Sequence, residues 1–196
     1  MKKIFLLLLL PTLLLASCKE EDHSVEEYAN WKEVNDVAFK AKYSAALAST
    51  SDNLDTIRCF SLAAKPSAQP TDYIVVQKLD RVNELVKPNS PTGSPIFTDS
   101  VAVSYRGRLQ PSATYSEGLV FDQTFTSKEY NYQLAKPGKL LTSSLVAGFC
   151  TALQHMQVGD HWIVTIPNEL AYSSRGTSSI PAYSMLTFEI VLEKYW

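Results

Sequence analysis

The chain has 196 residues, of which 45% are hydrophobic and 11% aromatic, enough apolar material to bury one core of ordinary size. Its 18 basic and 20 acidic residues nearly balance at a net charge of −2, which excludes a basic surface recruited by nucleic acid or anionic lipid. Three cysteines are too few for a disulfide-stabilised scaffold. No internal repeat is present, so we expect a single folded domain.

The first 17 residues have the layout of a secretory signal peptide. Lys2 and Lys3 precede an apolar run over residues 4–15, and the small residues Ala16 and Ser17 follow it. The apolar run is well short of the roughly 20 residues that span a bilayer as a helix. We therefore expect residues 1–17 to be cleaved and not to serve as a transmembrane anchor.

The four residues that end at Cys18, with the sequence LASC, resemble the bacterial lipobox. The resemblance implies that Cys18 becomes the lipidated first residue and anchors the chain to the outer membrane of the cell envelope. The alternative is an ordinary signal peptide with an incidental cysteine. Residues 19–22, KEED, are either a solvated start to a tether or similar to the signal that sends lipoproteins of the Bacteroidetes to the cell surface.

Residues 18–71 are predicted to form a tether and an N-terminal helical region. Ser24 and Glu27 have the spacing of a capping box, and apolar residues recur near helical intervals as far as about Ala48. Two roles stay open for this helix. It either packs on its own domain or acts as a docking element, for example in a homodimer.

The segment between this helix and residue 72 carries weaker signals. It contains Pro66 and Pro70, which favour a weakly ordered connection, with one short helical turn over residues 54–60. Cys59 lies in this segment and Cys150 on a later predicted helix, so we expect two free thiols.

Residues 72–196 combine strand patterns with a single helix pattern. Alternating or β-branched segments predict strands at residues 73–79, 100–109, 129–134, 161–166 and 185–194. Proline and glycine predict a loop over residues 87–95, and residues 145–156 place apolar side chains on one helical face. The pattern indicates an α+β domain in which one curved antiparallel sheet packs on one helix.

Common catalytic constellations are absent from the sequence. The three histidines, His23, His155 and His161, lack metal-binding spacing, and no HExxH, CxxC, GxSxG or P-loop motif occurs. We expect His155 and His161 to be solvated or hydrogen-bonded surface residues. The sequence therefore predicts neither a metal site nor a covalent nucleophile.

Aromatic residues recur through the domain, and alone they would indicate an ordinary core. The motifs around them indicate more. Five follow one another: Val103-x-Tyr105-x-Gly107-x-Leu109; Gly118-x-x-Phe121-Asp122; Val146-x-Gly148-Phe149 with Gly159-Asp160 beyond it; Ile166-Pro167-x-x-Leu170-Ala171-Tyr172; and Ile180-Pro181 with Leu186-x-Phe188-x-Ile190. In order and spacing they resemble the FKBP family of peptidyl-prolyl cis-trans isomerases, over about residues 73–196.

This resemblance implies a half-barrel of five or six antiparallel strands around the helix at residues 145–156, with an apolar pocket between them. The implied catalytic residues are Tyr105, Phe121, Asp122, Phe149, Tyr172 and Phe188. The implied substrate-binding residues are Tyr130, Leu145, Val146 and Ile180.

In this pocket Phe149 would form the floor, and the backbone N–H of Val146 and the hydroxyl of Tyr172 would meet carbonyls of the bound peptide. Asp122 would be a polar group at the rim, although an Asx turn after Phe121 is the alternative. Tyr172 could also be an ordinary core tyrosine.

Such a pocket needs no nucleophile, metal or cofactor. The barrier to rotation about a peptide bond is about 18–20 kcal/mol because of amide resonance, and a water-free aromatic pocket favours the twisted amide, in which charge separation is reduced. The expected partners are proline-containing polypeptides and macrolide inhibitors. We expect assistance to the folding of exported or envelope proteins.

Two other classes of function stay open. One is a peptide-binding or chaperone module without catalysis, favoured by unusual loops at residues 135–144 and 173–176. Residues 87–97 also lengthen the connection between the first two strands. The other is a structural surface protein, which requires the pocket to be filled by its own side chains.

Overall fold

The computed structural model describes residues 26–196. The predicted signal peptide, Cys18, residues 19–22 and the cap at Ser24 lie outside the described residues, and the assignments made for them stay predictions. Within residues 26–196, no helix has both the length and the apolar character required to cross a membrane.

The described chain forms a mostly antiparallel β structure with two helices. In chain order the elements are α1 (Trp31–Ala48), β1 (Leu54–Arg58), β2 (Tyr73–Lys78), β3 (Ser100–Leu109), β4 (Val120–Gln123), β5 (Gly138–Leu141), α2 (Ala147–Leu153), β6 (His161–Ile166) and β7 (Leu186–Tyr195). Six strands follow the order β1-β2-β6-β7-β3-β4, and the short strand β5 pairs with the first half of β3. The predicted α+β fold, an antiparallel sheet with one short helix after an N-terminal helix, is confirmed.

The core lies between α2 and one face of the sheet. In strands β3, β6 and β7 successive side chains point to opposite faces of the sheet, so every second residue faces the helix. The buried residues on this face include Val101, Val103, Val164, Ile166, Ile190 and Leu192. Helix α2 contributes Phe149, Ala152 and Leu153. This packing fixes the position of Phe149 relative to β3 and β7.

The prediction of a helical turn at residues 54–60 was wrong. Residues Leu54–Arg58 form β1, which pairs along its whole length with β2, and the next residue, Cys59, donates its backbone N–H to the carbonyl of Asp72 at 2.8 Å. The long-range pairing satisfies the backbone more completely than one isolated helical turn. Strand β1 lies before residue 72, where the domain was predicted to begin.

The strand predicted at residues 129–134 was also wrong, because the chain turns there. The side chain of Asn131 accepts the backbone N–H of Gln133 at 2.9 Å, and its carbonyl accepts those of Leu134 and Ala135. An asparagine that bonds the backbone two residues on favours a turn over a strand. The strands of this region are β4 and β5, on either side of the turn.

Both helices are shorter than the sequence predicted. Helix α1 begins at Trp31, after Asn30 in the left-handed conformation. Helix α2 covers Ala147–Leu153 instead of residues 145–156, because residues 142–144 form a 3₁₀ turn and Val146 is extended (φ −58°, ψ 147°). Residues 145 and 146 therefore approach α2 as extended chain.

The two thiols are free, as expected, and both are buried. Cys59 is fully buried, so the connection after α1 is an ordered part of the core. Burial, with a smaller contribution from Cys59, raises the pKa of the Cys150 thiol to about 11. A thiol with so high a pKa carries almost no thiolate at neutral pH and is a poor nucleophile.

Candidate active site

A cavity of about 260 Å³ opens between α2 and the sheet, and we call it the aromatic pocket. Strands β3, β4 and β7 supply one wall, and the chain entering α2 supplies the other. The lining residues are Tyr105, Phe121, Asp122, Leu140, Ser144, Leu145, Val146, Phe149, Tyr172 and Phe188. Because the cavity beside Phe149 and Tyr172 is open, a pocket filled by its own side chains is contradicted.

Edge-to-face contacts hold the rings of the pocket. Phe188 is central: its ring centroid lies 4.9 Å from that of Phe149, 5.5 Å from that of Phe121 and 6.3 Å from that of Tyr105. The interplanar angles are 85°, 90° and 63°, so the edge of one ring meets the face of another. Such T-shaped pairs are favourable beyond the area that they bury. The pocket is therefore shaped before any ligand enters.

One polar pair lies at the edge of these rings. The Tyr105 hydroxyl donates to Oδ2 of Asp122 at 2.8 Å. Burial first, and this hydrogen bond second, raise the pKa of Tyr105 far above its ordinary value, so the hydroxyl stays protonated. Asp122 is exposed, lies within β4 and accepts this hydroxyl. That placement is the pocket position and not the Asx turn that was its alternative.

Tyr172 forms the outer rim of the pocket. It follows the 3₁₀ turn Asn168–Leu170 and is 37% exposed, more than a core tyrosine would be. The backbone N–H of the next residue, Ser173, donates to the carbonyl of Asn168 at 2.9 Å and so folds the chain back under Tyr172. Its side chain is thereby available to a ligand.

Comparison with known proteins agrees with this geometry. The family of FKBP-type peptidyl-prolyl cis-trans isomerases matches residues 94–193, just over half of the chain. The chain belongs to this family. It therefore carries an FKBP-type peptidyl-prolyl cis-trans isomerase domain, and the aromatic pocket lies within the matched residues.

Individual relatives differ in how much of this chain they match. The chain is 38% identical over 99 residues to the FKBP-type 22 kDa isomerase of Escherichia coli, covering 50% of this chain and 42% of that protein. It is 30% identical over 135 residues to FKBP15-3 of Arabidopsis thaliana, covering 69% of this chain and 82% of that one. The crystal structure of an isomerase from Pseudomonas syringae aligns with a TM-score of 0.53 at 24% identity, covering 84% of this chain and 95% of the other, and shows the same fold.

The aromatic pocket brings together eight of the ten site residues predicted from the sequence. Six are the residues selected as catalytic, and Leu145 and Val146 are the other two. Leu140 and Ser144 also line the pocket, although the sequence did not indicate them. Leu140 lies on β5 and Ser144 in the 3₁₀ turn before α2, where no motif marks a position.

Ile180 lies in the core and does not line the aromatic pocket. It is 4% exposed and belongs to the same buried cluster as Phe149 and Phe188.

Tyr130 lies on the other face of the sheet. Its hydroxyl donates to Glu193 at 3.0 Å, and its ring lies 5.7 Å from that of His161. Arg106 reaches the same face, donates to the backbone carbonyls of Ser127 and Lys128, and lies 4.5 Å from the ring of Phe125. The chain after β4 is thus held against the outer face of the sheet, opposite α2 and away from the aromatic pocket.

The histidines lie apart from the pocket. His155 contacts the carbonyl of Thr151 through Nδ1 at 2.9 Å, and Nε2 of His161 lies 3.0 Å from Glu189 on the outer face. Among residues 26–196, no three His, Cys, Asp or Glu side chains are grouped to hold a metal ion.

Proposed function

We propose that this chain is an active prolyl isomerase that assists the folding of exported or envelope proteins while held at the membrane by a lipid on Cys18. The observation that carries the catalytic part is the open aromatic pocket with the Tyr105–Asp122 pair at its edge. The location rests on the signal-peptide pattern and on the lipobox at residues 15–18.

Catalysis would rest on exclusion of water from the amide that twists. The proline ring enters among Phe121, Phe149 and Phe188, where the twisted amide, with less charge separation than the planar one, loses least by leaving water. No ionised group has to touch the reacting bond. The pocket would act as a preformed cavity that favours the transition state over both planar isomers.

Few hydrogen bonds would be needed to orient the peptide. The backbone N–H of Val146 and the hydroxyl of Tyr172 lie on the wall and the rim, where each can donate to a peptide carbonyl. The Tyr105 hydroxyl, fixed by Asp122, presents the polar edge between them. Macrolides of the FK506 type are expected to occupy the same pocket and to block it.

Replacement of Asp122 by valine should lower kcat/KM for an Xaa-Pro peptide by about tenfold, because Tyr105 loses the charged acceptor that orients its hydroxyl. The matched control is Asp55→Val, the same change at an exposed position of β1, outside the pocket. Its kcat/KM should equal that of the unmodified chain. Equal activity of the two variants would contradict a role for Asp122.

The competing function is a chaperone that binds peptides without isomerising them. The soluble form that begins at residue 19 should accelerate a proline-limited refolding reaction, and Asp122→Val should need about tenfold more protein for the same acceleration. Suppression of client aggregation, measured in parallel, separates the two functions. Aggregation suppressed without faster refolding would favour the binding module.

We further propose that the outward face of α1 pairs two copies of the chain in a homodimer. This face exposes Val34, Val37 and Leu47, while Trp31, Phe39 and Ala46 pack on the domain of the same chain. Sedimentation of the form that begins at residue 19 should show dimers if this face pairs, and a monomer at all concentrations would contradict it.

A further inference from the structure

Helix α1 is bonded to the chain that follows the rim of the pocket. The indole Nε1–H of Trp31 donates to the hydroxyl of Ser184 at 2.7 Å, and the backbone N–H of Met185 donates to Oδ1 of Asn35 at 2.8 Å. Asn35 is itself held by its side-chain amide, which donates to the carbonyl of Trp31. All four residues are buried. They join α1 to the C-terminal end of residues 173–183, which we call the rim loop.

The N-terminal end of the rim loop is joined to the same helix. Oδ1 of Asp36 accepts the side-chain amide of Asn168 at 3.4 Å. The carbonyl of Asn168 accepts the backbone N–H groups of Ala171 and Ser173. One helical turn, residues 31–36, therefore contacts the chain on both sides of the rim loop.

The rim loop needs such support because both of its ends have an unfavourable backbone. Ser173 has φ +54° and Tyr183 has φ +62°, a region that non-glycine residues adopt only when their surroundings hold them there. The N–H of Tyr183 donates to the carbonyl of Ser173 at 2.8 Å and closes the loop. Contacts from α1 adjoin both of these residues.

The rim loop in turn positions the pocket. Tyr172, immediately before it, lines the cavity, and Ile180, within it, packs in the cluster that contains Phe149 and Phe188. A shift of the loop would therefore move the Tyr172 hydroxyl and the buried side chain of Ile180.

We propose that Trp31 and Asn35 are positioning residues of the isomerase: they fix the rim loop through Ser184 and Met185, and thereby set which residue before proline the pocket accepts. This inference rests on the proposed isomerase function. Helix α1 lies outside residues 94–193, so the family match assigns it no role.

The test compares Trp31→Phe with Val37→Ala in the form that begins at residue 19. The phenylalanine keeps an aromatic ring in the core but removes the donor to Ser184, whereas Val37 is 63% exposed on the same helix. In Trp31→Phe the ratio of kcat/KM for Leu-Pro over Ala-Pro peptides should change about threefold or more. About threefold corresponds to the lower part of the range that one hydrogen bond contributes. Val37→Ala should keep the ratio.

Thermal unfolding distinguishes positioning from stability alone. If Trp31→Phe lowers the melting temperature but leaves the peptide preference unchanged in the folded protein, the residue is structural only and the proposal is overturned. Ser184→Ala removes the same bond from the other side, together with the bond from the Ser184 hydroxyl to the carbonyl of Pro181 in the rim loop. It should shift the preference in the same direction and at least as far, and adding Trp31→Phe to it should change the preference little further.

Amide hydrogen exchange separates this proposal from the proposed function. The N–H groups of Thr177 and Tyr183 are hydrogen-bonded within the rim loop. They should exchange faster in Trp31→Phe than in Val37→Ala, whatever the turnover. An unmodified chain without turnover contradicts the isomerase function, whereas unchanged exchange in Trp31→Phe contradicts the positioning role.

Discussion

Replacement of Gly118 by alanine should reduce the free energy of unfolding by about 3 kcal/mol or more, because the added Cβ would overlap a backbone carbonyl. Gly118 has φ +80°, and a Cβ there would lie 2.0 Å from the carbonyl oxygen of Leu109. That carbonyl cannot move away easily, since the N–H of Leu109 donates to the carbonyl of Leu119 at 2.9 Å and closes the turn between β3 and β4. Urea unfolding followed by tryptophan fluorescence measures the loss.

Gly93→Ala is the matched control for this prediction. Gly93 has φ +86°, nearly the same backbone conformation, but nothing lies within 4 Å of the added Cβ. Only the conformational cost should appear, about 1–2 kcal/mol. If the two variants lose the same free energy, the clash with Leu109 plays no part and the tight β3–β4 turn is not needed.

Replacement of Gly107 by alanine should lower kcat/KM about tenfold or more by displacing two rings of the pocket. A Cβ on Gly107 would lie 2.5 Å from Cζ of Phe121 and 2.7 Å from Cε1 of Phe188. Both rings must therefore move, and both line the cavity. The absence of a side chain on β3 at this point creates the space in which the rings meet edge to face. The rate of peptide isomerisation is measured under conditions in which the variant is fully folded.

Gly138→Ala is the control for this second substitution. Gly138 lies on β5, which pairs with the same strand, yet the nearest atoms to an added Cβ are Cγ2 of Thr124 at 3.5 Å and Cε1 of Tyr105 at 3.7 Å. These are ordinary van der Waals contacts, so activity should stay within about twofold of the unmodified chain. Full activity of a folded Gly107→Ala variant would show that the packing of Phe121 and Phe188 does not govern catalysis.

The sequence predicted best where a strand or motif carries its own local pattern. Strands β3, β6 and β7 carry β-branched or alternating patterns, and the prediction places them within about one residue of their observed bounds. The residues that line the pocket from these strands are Tyr105 and Phe188. The local patterns located the strands, whereas the site residues came from the resemblance to the FKBP family, because aromatic residues alone indicate only an ordinary core.

Predictions failed where partners distant in the sequence decide the structure. Strand β1 has no strong alternation, and it becomes a strand because β2 offers it an edge. Tyr130 was assigned to the pocket by the resemblance to the FKBP family. Its hydroxyl instead bonds Glu193, 63 residues away, on the opposite face of the sheet. Neither pairing leaves a signal within a short window of sequence.

The role of α1 illustrates the same limit. Its helical spacing is visible in the sequence, but the choice between packing on its own domain and docking elsewhere is not. Trp31 bonds Ser184 across 153 residues, and Asn35 bonds Met185 across 150. These contacts show that α1 packs on its own domain, beside the rim loop.

The central claim is that the aromatic pocket catalyses prolyl isomerisation, and a peptide assay tests it most directly. A chromogenic Xaa-Pro peptide should isomerise much faster with the form that begins at residue 19 than in the uncatalysed reaction, which takes tens of seconds or longer. An equimolar FK506-type macrolide should remove the acceleration. A protein that unfolds cooperatively, and is therefore folded, but leaves the reaction at its uncatalysed rate would contradict the claim.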